Sequence, residues 1–119
     1  MEMLVEWLPR VGAMLTVLLG LIGFFRPSLI TDGQQITLGS PMALSEARVV
    51  FGGLHLGSGL MALALQEPVI YMTLGAAWSC GLLARFYSMV VDKTSVQQSL
   101  PGISVDAVMA LLFFSGLIL

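Results

Sequence analysis

Apolar residues fall into four stretches, about 7–25, 42–66, 68–91 and 103–119, separated by short polar segments rich in Pro and Gly. Most approach the ~20 apolar residues that an α-helix needs to cross a ~30 Å hydrocarbon core, and the last, at 1.5 Å per residue, reaches about 26 Å. The first stretch runs from Trp7 to Phe25 and stops at Arg26-Pro27, because proline cannot continue the ladder. A polar connection to Pro41 follows, with Asp32-Gly33 as a turn signal. Ser40-Pro41 opens the second helix, with Ser40 or Ser45 as its N-cap, and Glu67-Pro68 closes it. So tight a link makes helices two and three antiparallel neighbours, and Pro68 suits a first helical position. Asp92-Lys93-Thr94 ends the third helix, and Ser95 to Leu100 reads as a polar linker. Pro101-Gly102 then precedes the last helix. The pattern predicts an all-α, integral membrane, antiparallel four-helix bundle: a single transmembrane domain over 1–119, with helix two the most buried.

Composition narrows the class. The chain has 119 residues, 57% of them hydrophobic and 10% charged, with mean hydropathy +0.95. A soluble globule carries about 25% charged residues, so this chain has too little polar surface to cover one. A net charge of -2 and the lack of any Lys/Arg run argue against nucleic acid as a partner. Cys80 is the single cysteine, which excludes an intramolecular disulfide, a CxxC redox pair and a cysteine zinc site. Its apolar setting predicts a small buried residue. Glu2 and Glu6 stand where a basic leader would, so the first stretch reads as a retained anchor. Arg26, Arg48, Arg85 and Lys93 fall on the side of the loops after helices one and three, against Arg10 on the terminal side. The positive-inside tendency then predicts a multi-pass inner-membrane protein with cytoplasmic loops and periplasmic termini.

The charges gather with the same asymmetry. Glu46, Arg48, Arg85, Asp92 and Asp106 collect towards one end, where a charge in hydrocarbon must be paired or hydrated. On helix two, Arg48, Gly52, His55 and Gly59 share a narrow stripe, while Gly53 and Gly57 lie opposite and offer a GxxxG contact. Two small-residue faces predict close packing on both sides, with homodimerisation through Gly53 and Gly57 as the alternative. Gly81, Arg85, Ser88 and Asp92 share a face of helix three, and Gly12, Thr16, Gly20 and Gly23 share one of helix one. His55 lies about 10 Å deeper than Arg48 along helix two. It reads either as a neutral, hydrogen-bonded core residue or as a group for proton transfer or ligand contact. No HxxxH or ExxH pair exists, so no metal, cofactor or catalytic residue is assigned. The arginines and carboxylates form either an internal ion-pair network or a ligand cluster able to hold a carboxylate or phosphate headgroup.

The run from Ser45 through Glu46, Arg48, Gly52, Gly53 and His55 to Gly57, followed by Gly81 to Ser88 with Arg85 and then Asp92, resembles a bacterial membrane family, domain-of-unknown-function family 4345. Asp106 stands where that family is expected to place a glutamate. The resemblance implies a small four-helix inner-membrane protein and no established activity. The leading expectation is a non-enzymatic accessory or interaction subunit that presents the 27–41 loop and the charged end to a partner. The partners expected are the lipid bilayer and a larger membrane complex or homo-oligomer. The alternative is a binding or transport module for a lipid-like or anionic small molecule, and an enzyme using His55 or Glu46 comes third.

Overall fold

The computed structural model describes residues 2–119, and those residues form helices without strands. Four helices are long and apolar enough to cross a membrane: α1 (Glu2–Phe25), α3 (Pro41–Leu65), α4 (Pro68–Val91) and α5 (Val96–Ile118). A short α2 (Ser28–Thr31) and a 3-10 turn (Asp32–Gln34) fold the connection after α1. Within it, Thr31 is buried and donates its hydroxyl to Pro27 O, so this segment is ordered by its own polar groups.

Helix boundaries follow local chemistry. Ser40 is the N-cap of α3, accepting from Ala43 N at 3.0 Å, and Pro41 occupies its first turn. Gln66, in the left-handed region at φ 50, ends α3, and Pro68 opens α4. Two ends differ from expectation. α1 begins at Glu2 rather than near Trp7, because Met3, Leu4 and Val5 continue the helix with an acidic residue in the first turn. α5 begins at Val96 rather than 103, carrying Pro101 inside it. Ser95 accepts from Gln98 N at 3.0 Å, the serine half of an S-x-x-Q capping box, and this cap outweighs the one bond Pro101 removes.

α3 is not α-helical throughout. From Arg48 to Gly53 it widens into a π turn, with Leu54 N bonded to Val49 O. Two β-branched residues followed by two glycines, Val49, Val50, Gly52 and Gly53, weaken the regular ladder there.

The chain forms two compact units, Ala13–Gln66 and residues 2–12 with Glu67–Leu119. In the first, α3 lies against α1 at glycine. The backbones of Gly23 and Gly52 meet so closely that a Cβ on either would fall inside the opposing chain, and Gly20 meets Leu56 in the same way. In the second, α4 and α5 pack along their length. Phe113 and Met109 are buried, and Gly75 lies under the Phe114 ring.

The interior is built mainly from small side chains, Ala13, Ala47, Ala62 and Ala110, with Met109 and Phe113. Large apolar residues point outward: Val90 is 77% exposed and Leu83 65%. Hydroxyls on the helices turn back to their own carbonyls, Ser58 to Leu54 O, Thr73 to Val69 O and Ser115 to Leu112 O. Two expectations are corrected here. Cys80 is exposed, since it lies off the α4 face that meets α5. Helix two is not the most buried: 17% of the apolar window of α3 is buried, against 33% for α1 and for α5.

Candidate functional site

Within the unit of α4 and α5, Arg85 Nε donates to Asp106 Oδ2 in the one ion pair among the described residues. The Asp106 side chain is 6% exposed and that of Arg85 31%, so the carboxylate is sealed while the guanidinium stays partly open. Glycine permits this approach. A Cβ at Gly102, one turn before Asp106, would overlap the Arg85 guanidinium, and Gly81, one turn before Arg85, leaves the space beside Asp106 Oδ2. Asp92 ends α4, accepting from Ser88 Oγ at 2.6 Å and donating its N–H to Ser88 O. It is exposed and does not pair with Arg85.

In the other unit, Arg48 Nη1 donates to Phe24 O and, at 3.3 Å, to Phe25 O. These are among the last carbonyls of α1, which have no partner within their own helix. A cation at the negative end of α1 therefore satisfies both hydrogen bonding and the helix dipole. Glu46 is exposed and does not pair with Arg48. His55 is half-buried, with Nδ1 2.9 Å from Val50 O in the π turn. A carbonyl oxygen only accepts, so Nδ1 carries the proton in this arrangement.

The glycines assigned to packing divide between two surroundings. Gly52 and Gly59 lie against α1, the latter close to Val17 and to Ala13 O. A Cβ at Gly53 or Gly57 would meet nothing within 4 Å, and both are exposed. Within this unit α3 therefore packs through its Gly52/Gly59 face.

Two arrangements were passed over in the sequence. Gly102 is placed by the sequence ahead of the last helix, although its one-turn spacing from Asp106 mirrors that of Gly81 from Arg85. The other joins Trp7, Arg10 and Tyr71. The Arg10 guanidinium carbon lies 5.0 Å from the Trp7 ring centroid. The Tyr71 hydroxyl is buried with no hydrogen bond of acceptable geometry, although Arg10 comes beside it, and its ring centroid lies 6.2 Å from that of Phe113. An open groove of about 340 Å³, lined by Leu8 of α1, by Leu111, Leu112 and Ser115 of α5 and by Leu119 just after it, is almost wholly apolar. Among the described residues no group of three or more His, Cys, Asp or Glu side chains could hold a metal ion.

No family model, curated protein or solved structure matches the chain.

Proposed function

We propose that this is a small multi-pass protein of the bacterial inner membrane, an antiparallel four-helix bundle acting as a non-enzymatic accessory or interaction subunit. Its membrane character is supported by four long apolar helices whose large side chains point outward and on which the Ser58, Thr73 and Ser115 hydroxyls are satisfied by carbonyls of their own helix. The likeness of the Glu46-to-Gly57 and Gly81-to-Asp92 runs to family 4345 fits the same reading.

The observation that carries the subunit role is the open Gly53/Gly57 face of α3. Glycines four residues apart on an exposed face let a second transmembrane helix approach its backbone, whereas glycine facing lipid gains nothing. Arg48 and Arg85, the residues expected to hold a ligand, already serve the chain's own carbonyls and carboxylate.

Native mass spectrometry of the chain, extracted in mild detergent, tests the reading. A stoichiometric partner, either another protein or a second copy, should be retained and should be lost from Gly53→Leu/Gly57→Leu. A wild-type chain that emerges monomeric and alone overturns it.

One observation favours binding or transport of an anionic molecule as the second reading. Arg85 uses Nε for Asp106, and its side chain keeps 31% exposure, which leaves N–H groups at the surface. Stabilisation by an anionic ligand that disappears in Arg85→Gln would support it.

A further inference from the structure

Arg10, Trp7 and Tyr71 lie in one compact unit, and their hydrogen-bonding capacities do not balance. A guanidinium has five donors and no acceptor, and a phenol has one proton to give. Arg10 beside Tyr71 can donate towards the phenol oxygen but has no way to accept the Tyr71 proton. That hydroxyl is buried with no hydrogen bond among the described residues. Among the described residues, none of the remaining carboxylates of this end, Glu2, Glu6 and Glu67, forms an ion pair with Arg10. Arg10 thus differs from Arg85, neutralised by Asp106, and from Arg48, capped on α1. Arg26 and Lys93 are exposed and lie outside the long helices.

The surroundings fix Arg10 and define what it would take. Helical side chains lean towards the N-terminus, so Arg10 reaches back one turn, where the Trp7 ring holds its guanidinium. Indole rings settle at the boundary between hydrocarbon and headgroups. Glu67, the N-cap residue of α4, makes no side-chain hydrogen bond to its first turn. A planar cation fork and an unspent phenolic proton together call for an anion with several acceptor oxygens.

We propose that Arg10, seated by Trp7 and joined by Tyr71, binds a phosphate group, that of an anionic phospholipid headgroup or of a soluble phosphate. The fork donates in bidentate fashion to two phosphate oxygens. Tyr71 gives its proton to a third once Arg10 shifts enough to open the hydroxyl. The lipid source rests on the membrane-spanning reading of the chain, and neither source depends on the interaction-subunit role.

Native mass spectrometry of the full chain in mild detergent tests this with phosphatidylglycerol, zwitterionic phosphatidylcholine and inorganic phosphate as the probes. The wild type should hold phosphatidylglycerol or inorganic phosphate in preference to phosphatidylcholine, and the species held identifies the source. Arg10→Gln should weaken that binding roughly tenfold, the scale of a charge-assisted contact, and Tyr71→Phe about threefold, that of a neutral one. Glu6→Gln should strengthen it by removing a nearby negative charge, and Arg26→Gln should leave it unchanged. If Arg10→Gln does not fold, Arg10→Lys, which keeps the charge and loses the fork, should still bind more weakly than wild type. Equal binding by wild type and the Arg10 variant that folds, or no preference for either anion over phosphatidylcholine, overturns the proposal. Retained anion binding in a chain that is monomeric separates this site from the subunit reading.

Discussion

Arg85 crosses the backbone of Gly102 to reach Asp106. The glycine therefore belongs to the ion pair although it carries no charge. Gly102→Ala should displace the guanidinium and strand a buried carboxylate, costing about 1–3 kcal/mol after the gain in helix propensity of about 1 kcal/mol. Thermal unfolding in detergent checks this. In an Asp106→Asn background the same substitution should cost less, because the pair is already broken.

The two members of the pair are unequally buried, and their losses should be unequal too. Arg85→Leu leaves Asp106 charged and sealed, a cost of about 3–5 kcal/mol, whereas Asp106→Leu leaves a guanidinium that is already partly open and should cost less. The double variant Arg85→Leu/Asp106→Leu should recover much of the larger loss. Three unfolding curves on one detergent preparation give the comparison, and equal single costs would contradict the burial difference.

Arg48 makes a local and measurable contact at the end of α1. Arg48→Gln is too short to span to Phe24 O and should destabilise the chain by about 1–2 kcal/mol, within the range for a charged group at a helix terminus. Hydrogen exchange should quicken at residues 23–26 as the last turn frays, while α4 and α5 stay protected. Arg48→Lys should restore part of the protection.

Adjacent glycines on α3 give the sharpest contrast. Gly52→Leu would drive a side chain into the backbone at Gly23 and Phe24 and should cost about 3 kcal/mol or more, as severe overpacking does. Gly53→Leu enters open space and should leave monomer stability within about 0.5 kcal/mol of wild type. The same variant should weaken association. Comparing unfolding with oligomeric state for the two variants separates intrachain packing from partner contact.

The topology read from the charges has its own test. In a Cys80→Ala background, Gln35→Cys and Gln97→Cys should resist an impermeant thiol reagent in intact cells, and Glu2→Cys should react. Both glutamines are exposed, so accessibility depends on sidedness. The opposite labelling pattern would reverse the assignment.

Much of the architecture was legible because helix punctuation is local. Ser40-Pro41, Glu67-Pro68 and Arg26-Pro27 each act on the turn that contains them, and the four long helices follow their order. The start of α5 was misread because Pro101-Gly102 looks like a breaker, while the Ser95 cap lies earlier and its second half is a glutamine. The pairing of Arg85 with Asp106 was within reach of the charge pattern. The destination of Arg48 was not, since its partners are backbone carbonyls of α1, which every residue possesses and no side-chain pattern marks. The Arg10 arrangement escaped for a related reason: it joins residues of two helices far apart in the chain, and tyrosine in an apolar stretch ordinarily signals packing.

The wide turn from Arg48 to Gly53 gives α3 one residue more than a regular helix would use there. Deleting Val50 should restore the ordinary pitch and swing the seven residues Pro41–Ala47 by about 100° relative to everything after Leu54. Arg48 would then leave the end of α1 while Gly59 kept its place. The rotational phase between the two halves of α3 is thus not a property of that helix alone; it is fixed from outside, by the bond between one arginine and the final carbonyls of a neighbour.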